Sequence, residues 1–378
     1  MTPTELQPKK RIESIDIMRG IVMVVMALDH SRDFLTDPNF DPTNLHKAST
    51  ILFLTRFVTH YCASTFVFLA GTSAYLSISR GKTKNQAAKF LLSRGLWLIF
   101  LELTIVRFGW IVNLDYSFIF LQVIWAIGFS MVILAALIYL PLPAIAGFGF
   151  ILVFGHDLFD KFAVTSLSPA GKVIWDFLHV MGYVSIGSKF GIMILYPLVP
   201  WVGVMALGYC FGTLFKMDAA RRRKLLLTIG FSAIALFVLI RAGNFYGDPA
   251  YWTDQHSWYR DVLSFIDVSK YPPSLDYLLI TLGPVMLLIA AFEHVKNRVT
   301  DIFLVYGRVP LFYYILHLYL LRLLCIIPFI IYNKKQGYSF PLWSVYVAWL
   351  LVVFILYFPC RWFMKYKQTH KQWWLSYI

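Results

Sequence analysis

Charged residues are scarce in this sequence. Asp, Glu, Lys and Arg make up 14% of its 378 residues, whereas a soluble domain carries roughly a quarter. Hydrophobic residues make up 59% and aromatic residues 18%. This balance excludes a soluble globular domain and predicts an integral membrane protein.

Cysteine is scarce as well, with four residues in the whole chain. All four lie within apolar segments or at their ends, and none is spaced like a pair of metal ligands. We interpret them as small core residues, which excludes a disulfide framework and predicts no metal centre. They are Cys62, Cys210, Cys325 and Cys360.

Three other features are missing from the sequence. No small-residue cleavage site follows the first apolar run, so this run is predicted to be a retained span and not a signal peptide. No periodic repeat and no low-complexity linker is evident, which favours a single domain. We predict a cytoplasmic N-terminal tail over 1–13, a transmembrane domain over 14–365 and a cytoplasmic C-terminal tail over 366–378.

What the sequence does have is long apolar stretches, of which about ten are long enough to cross a bilayer. A backbone exposed to lipid must satisfy its own hydrogen bonds, so all of them are predicted to be helical. The sequence therefore predicts an all-α, polytopic integral membrane protein with about ten transmembrane helices around a central polar cavity. The stretches are 15–34, 51–78, 87–112, 118–140, 143–158, 190–215, 225–241, 274–293, 303–325 and 340–360.

The basic residues are scattered among short loops, although the formal net charge is +14. This distribution indicates orientation in a lipid bilayer and not binding to nucleic acid. With the N-terminus inside, the inner segments hold 19 Lys and Arg, about twice as many as the longer outer segments. The bias predicts that both termini are cytoplasmic.

The first apolar helix carries ionisable residues at membrane depth. Arg19 and His30 are eleven residues apart, which places them about 16 Å apart along the helix axis and about 20° apart around it. Asp29 and Asp33 flank the histidine. Buried charges are costly unless they face a cavity or a partner, so this face is predicted to be a functional site. The alternative is a snorkelling Arg19 and a packed His30.

Other spans carry polar residues too. Because three spans each offer one histidine, we predict a shared polar cavity in which His30 and His60 are candidates for the base or acyl carrier. Asp29 or Asp33 would orient the base. The remaining candidates for the lining of this cavity are Arg56, Glu102, Gln122, Arg308, Tyr313 and His317.

Such a cavity is compatible with two classes of function. One is group transfer, with a histidine as general base on a hydroxyl or amine. The other is a proton-coupled transporter or an exporter of a small or lipid-linked substrate, with buried ionisable groups as the relay. The sequence shows no repeat of the kind many transporters have, which favours the enzyme. A third interpretation is a non-catalytic scaffold of the cell envelope.

Several motifs resemble a known family. The arrangement of Arg19, ten residues and His30 is similar to the opening motif of the transmembrane acyltransferase superfamily. Residues 11–20 resemble the start of the catalytic domain of the heparan-alpha-glucosaminide N-acetyltransferase family and its bacterial branch. The stretches 59–71, 200–205, 270–275 and 307–317 resemble the same branch in the same order, so the resemblance covers most of the chain.

The resemblance implies transfer of an acetyl group from cytosolic acetyl-CoA to an extracytoplasmic sugar or amino sugar, without a metal. It implies a bacterial inner-membrane protein, and a homodimer is left open. Arg19, Arg56 and Arg308 would then contact the anionic CoA. In the family the catalytic histidine lies in the loop before the second span, where the nearest candidate is His46. The catalytic histidine is therefore left open among His30, His46 and His60.

Overall fold

In the computed structural model the chain is described over residues 12–37, 40–79, 81–161, 166–187, 189–332 and 339–378. Helices account for most of these residues. They are α1 (Glu13–Leu35), α2 (Thr50–Ile78), α3 (Lys84–Leu101), α4 (Arg107–Ile111), α5 (Val123–Leu137), α6 (Leu142–Gly155), α7 (Pro169–Leu178), α8 (Leu198–Phe211), α9 (Ala219–Gly243), α10 (Trp258–Ile266), α11 (Leu275–Phe292), α12 (Arg298–Arg308), α13 (Pro310–Ile331) and α14 (Leu342–Thr369).

The architecture confirms an all-α polytopic membrane protein. Among the described residues, seven helices are long and apolar enough to cross a membrane. The segment after α6 extends it to Phe159, which makes the fifth predicted stretch one of the seven. Helix α1 is not among these seven because it carries too many charged residues, and α5 is not among them because it is only 15 residues long. The count of ten spans stays a prediction.

Consecutive long helices run in opposite directions and so define two sides of the bundle. At the tail side α1 begins, and Arg94 of α3 donates to the Ser376 carbonyl of the C-terminal segment at 3.0 Å. At the sheet side α1 ends, and the Phe340 amide donates to the Leu35 carbonyl at 2.9 Å. Helix α14 continues to Thr369, into the segment predicted as the C-terminal tail.

A small β-sheet covers part of the sheet side. Strand β1 (Phe118–Leu121) pairs in parallel with β3 (Phe190–Ile194), which pairs antiparallel with β2 (Gly182–Ile186). The predicted helical stretches 118–140 and 190–215 therefore begin as strands, and the expectation that they are helical throughout is wrong. Their first residues are aromatic and β-branched, and they satisfy their backbone groups against one another instead.

Helix α1 lies at the centre of the bundle and packs against α2, α11, α12, α13 and α14. Its contact with α12 is a contact of backbones. A Cβ atom added at Gly20 would lie 1.8 Å from the Phe303 carbonyl oxygen, and one at Gly307 would lie 1.7 Å from the Asp16 carbonyl oxygen. Only glycine permits this approach, which fixes the tail-side half of α1 against α12.

Helices α3 and α4 form one continuous rod that is interrupted by a π-helical turn at Glu102–Val106. A π turn inserts an extra residue into the helix, and such turns are found frequently at functional sites. The turn begins at Glu102, which is buried and 1% exposed.

Candidate active site

A cavity of about 340 Å³ opens at the tail side among α1, α2, α3, α5 and α13. Four basic side chains and one carboxylate, that of Asp16, are part of its lining. The deeper wall is apolar and includes Met23, Phe66, Leu98, Ile124, Ile127 and Met131. The basic residues are Arg19, Arg94, Arg308 and Lys367. The cavity therefore suits a ligand with an anionic head and a slender arm.

Arg19 is held in place at this opening by three contacts. Its guanidinium donates to the Ser73 hydroxyl at 2.6 Å, to the Asp16 carboxylate at 3.1 Å and to the Gly307 carbonyl at 3.4 Å. These contacts fix its position while it lines the cavity, so the arginine is arranged in advance for an anion.

The closed end of the cavity points at three ionisable residues. On α1 the last residue that lines the cavity is Met23, and His30 lies on the same face two turns on. On the α3 rod Leu98 is followed one turn later by Glu102, and on α13 Tyr314 is followed one turn later by His317. Three helices that line the cavity thus each carry an ionisable group one or two turns beyond it.

Two of these residues form a hydrogen-bonded pair. The distance between His30 Nδ1 and His317 Nε2 is 2.7 Å, and His317 Nδ1 lies 3.2 Å from the Tyr313 carbonyl oxygen. A carbonyl only accepts, so His317 Nδ1 carries the proton and its Nε2 accepts from His30 Nδ1. This arrangement leaves the lone pair of His30 Nε2 available for a proton.

Aromatic rings enclose the histidine pair. The Trp110 ring meets His30 edge-on at 5.0 Å between centroids, and Tyr314 does so at 6.3 Å. The Tyr313 ring stacks on His317 at 5.4 Å. The rings fix both imidazoles, and Tyr314 belongs at once to this enclosure and to the cavity lining.

A second charged cluster lies toward the sheet side of α1. Arg56 contacts both oxygens of Asp29 at 2.7 and 2.8 Å, and Arg32 contacts the same carboxylate at 2.8 Å. The Thr59 hydroxyl donates to it at 3.0 Å, and Lys270 lies 3.6 Å away. All these side chains are largely buried, so the cluster locks α1 to α2 and to the loop before α11.

The remaining predicted residues lie apart from the cavity. His60 faces the Tyr277 ring at 5.7 Å, and Arg56 is engaged by Asp29. His46 is exposed in the loop between α1 and α2. Asp33 contacts Arg32 at 2.7 Å near the end of α1. The structure therefore gathers Arg19, Arg308, His30, Glu102, Tyr313 and His317, and leaves the others elsewhere.

Gln122 contacts the site only through its backbone amide, which donates to Glu102 Oε1 at 3.0 Å. Two basic residues of the opening, Arg94 and Lys367, are missing from the sequence prediction. The signal for Arg94 was its spacing of four from Leu98 and eight from Glu102, which places the three on one face of a helix. Lys270, beside Asp29, is a third omission from the candidate residues, although it begins the stretch 270–275 that resembles the family.

The loop between α9 and α11 is organised around a buried arginine at the sheet side. Arg241 donates to the carbonyl oxygens of Ala250 at 2.7 Å and of Phe265 at 2.9 Å. Its guanidinium also contacts the Asp267 carbonyl. Burial, followed by the charges of Asp41 and Asp248, raises the pKa of the Asp267 carboxyl to about 6.

Comparison with known proteins identifies the family of this chain. Residues 11–244 match the family described as "Heparan-alpha-glucosaminide N-acetyltransferase, catalytic". The matched segment carries Arg19, His30, Arg94 and Glu102, whereas His317 lies beyond it. A search of curated proteins finds no match. Because the match covers well over half of the chain, this protein belongs to the catalytic-domain family of heparan-alpha-glucosaminide N-acetyltransferase, a family of transmembrane acetyltransferases.

Proposed function

We propose that this protein transfers an acetyl group from cytosolic acetyl-CoA to a sugar or amino sugar on the other side of a bacterial inner membrane. The tail side would face the cytoplasm, as the distribution of Lys and Arg predicts. One observation carries the proposal: a cavity with a basic opening and apolar walls is lined by Tyr314, whose ring meets both members of a hydrogen-bonded histidine pair.

The cavity fits the parts of an acyl-CoA in order. Arg19, Arg94 and Arg308 at the opening would contact the phosphates, for which guanidinium groups are well suited. The apolar walls would enclose the uncharged arm. Arg19 and His30 are about 16 Å apart along α1, so a thioester at the end of an extended arm would reach the histidine pair.

The histidine pair supplies the base that the reaction needs. His30 Nε2 would take the proton from the acceptor amine or hydroxyl while that atom bonds to the thioester carbonyl carbon. The carbon–sulfur bond then breaks, and the thiolate leaves with the proton from His30. His317 would act as a positioning residue, because it accepts from His30 Nδ1 and so holds the reactive tautomer.

The site residues placed elsewhere have other roles in this proposal. Asp29 would hold the sheet-side half of α1 through Arg56 and Lys270, and so set the depth of His30. His60 and His46 would take no part in the transfer.

The decisive experiment supplies labelled acetyl-CoA to the purified protein in detergent with glucosamine as the probe acceptor. We expect label on the sugar, and a loss of about 10²- to 10⁴-fold in His30→Gln. His256, whose side chain is 93% exposed in the sheet-side loop, provides the control His256→Gln, which should be unaffected. His46→Gln should also be unaffected, and its inactivity would move the base to that residue.

Two other outcomes decide between mechanisms and classes. Label that stays on the wild-type protein but not on His30→Gln would replace direct transfer by an acyl-histidine intermediate. Failure of the protein to bind acetyl-CoA at millimolar concentration would overturn the proposal and favour a proton-coupled transporter.

A further inference from the structure

A groove of about 410 Å³ lies at the tail side between α3 and the C-terminal segment, residues 370–378. Hydrogen bonds attach this segment to α3. The hydroxyl groups of Ser93 and Tyr377 are 2.8 Å apart, and Arg94 donates to the Ser376 carbonyl at 3.0 Å. The groove begins at Ser93 and continues along α3 to Phe100, so the segment covers this part of the helix without packing closely against it.

The walls of the groove are apolar and mostly aromatic. Helix α3 contributes Leu96, Trp97 and Phe100, and the C-terminal segment contributes Trp373 and Trp374. None of the described residues that line the groove carries a charged side chain, and the two hydroxyl groups in its lining bond to each other. Apolar walls around a space of this size leave dispersion contacts unmade unless an apolar group fills it. The groove therefore suits a ligand that is held by apolar contact.

The groove is continuous with a surface that faces away from the bundle. Leu92, Leu96 and Phe100 are spaced by four residues on α3 and so form one stripe, and all three side chains are exposed. In a transmembrane acetyltransferase such a stripe faces the hydrocarbon chains of the lipid. The indole rings beside the groove are typical of the level at which a bilayer meets water. The groove is therefore open to the tail-side leaflet.

We propose that the groove is a binding site for one acyl chain of a phospholipid from the tail-side leaflet. The chain lies along α3 between Phe100 and Trp373 and joins the C-terminal segment to the helix. An acyl chain matches these walls because it has no polar groups, whereas a peptide would bring backbone groups that need partners. Because Ile378 lines both the groove and the tail-side cavity, the bound chain also supports a wall of that cavity.

A groove-filling substitution tests this proposal. Leu96 lines the groove and is 54% exposed, so in Leu96→Trp the larger ring fills the groove without displacing residues of the core. Leu92→Trp is the matched control, because Leu92 is 43% exposed on the same stripe one turn earlier and lies outside the groove. The pair separates blockage of the groove from the general effect of a tryptophan on the lipid-facing surface.

The measurement is native mass spectrometry of the protein in detergent, titrated with palmitoyl-oleoyl phosphatidylglycerol. We expect the wild type and Leu92→Trp to bind one lipid molecule at least about tenfold more tightly than any further one, and Leu96→Trp to lose this tight site. Dihexanoyl phosphatidylglycerol has the same headgroup, but its short chains bury less apolar surface. The wild type should bind it at least about tenfold more weakly.

Trp373→Ala provides an independent variant should Leu96→Trp fail to fold. The Trp373 side chain is 79% exposed, so its removal leaves the core intact but takes away one wall of the groove. We expect the tight lipid to bind about tenfold more weakly. The control is Trp362→Ala on α14, because Trp362 is 61% exposed and lies outside the groove.

Three outcomes would overturn the inference. In the first, the wild type binds no lipid more tightly than the rest, or Leu96→Trp and Trp373→Ala retain the tight site. In the second, the short-chain lipid binds as tightly as the long-chain one, which would assign recognition to the headgroup. In the third, the wild type is a dimer that Leu96→Trp dissociates, which would make the groove an interface between two copies. Acetyl-CoA takes no part in this test, so its result is independent of the proposed function.

Discussion

The two ends of α1 carry charge in different ways. At the tail side Arg19 contacts the Asp16 carboxylate at 3.1 Å and Arg308 lies 3.9 Å from the Glu13 carboxylate, and both basic side chains also line the cavity. At the sheet side Asp29 is surrounded within 3.6 Å by Arg32, Arg56 and Lys270, all largely buried. The tail-side cations border an open cavity that has space for an anion, whereas the sheet-side cations converge on one buried carboxylate.

This difference shows how one helix can serve both binding and structure. A buried carboxylate in contact with several cations is strongly coupled to the fold, because removing it leaves charges without compensation. Cations that line an open cavity have free space beside them, so they are available for binding an anion. Charge at membrane depth therefore indicates function only where space accompanies it.

The largest effect should follow from removing the sheet-side carboxylate. Asp29→Asn leaves Arg32, Arg56 and Lys270 buried around a neutral amide, and we expect a loss of about 3–5 kcal/mol in stability, measured as thermal unfolding in detergent. The control is Asp33→Asn on the same helix, which should cost about 1 kcal/mol or less because that side chain is 37% exposed. Equal losses in both variants would contradict the role of Asp29 as the centre of the cluster.

A smaller loss of stability is expected when a methyl group is added where α1 contacts α12 at the tail side. Gly20→Ala places a methyl group 1.8 Å from the Phe303 carbonyl oxygen, so the helices must separate, at a cost of about 1–3 kcal/mol. Donor affinity should fall with it, because Arg19 and Arg308 lie beside this contact. Gly147→Ala in α6, where no atom lies within 4 Å of the new methyl, should leave both quantities unchanged.

Removing a cation from the tail-side opening should weaken the binding of acetyl-CoA and leave the stability of the fold almost unchanged. Arg94→Gln removes one of its four cations, and we expect about tenfold weaker binding of acetyl-CoA with a weaker dependence on salt. Lys89→Gln, an exposed change on the same helix, is the control. A variant that melts much earlier but binds normally would mean that the two ends of α1 do not differ as described.

The smallest effect concerns the sheet-side loop. The pKa of Asp267 is raised to about 6, above the value of about 3.9 in an unfolded chain. Its charged form is therefore disfavoured by folding, so stability should decline as the pH rises from about 4 to about 6 and level off above that. Over this pH range the melting temperature of the wild type should fall by about 2 °C more than that of Asp267→Asn. Asp254→Asn, 72% exposed in the same loop, should retain the wild-type profile.

Much of the fold follows from the sequence because lipid imposes simple rules. Length and hydropathy predict the spanning helices, and helical spacing places Arg19 on the face that leads to His30. The strands at 118–121 and 190–194 are not predicted, because a short run of aromatic and β-branched residues is equally compatible with a strand and with the end of a helix.

The site is less predictable, since spacing within a helix is visible in the sequence and partners between helices are not. His30 and His317 appear as separate candidates, but their direct hydrogen bond depends on how α1 and α13 pack. The sequence suggests Arg56 as a contact for CoA because its salt bridge with Asp29 depends on how α1 and α2 pack, which the sequence does not show. The π turn that begins at Glu102 has no local signature in the sequence.

The pairing of β1 with β3 also constrains the order of assembly. Helices α5, α6 and α7 and strand β2 separate the two strands along the chain, so β1 cannot pair with β3 until all of them have been made. In the orientation proposed above, the segment between α6 and α8 must also be translocated before β3 can reach β1. A block at that step would leave the earlier helices inserted without the sheet that covers their end.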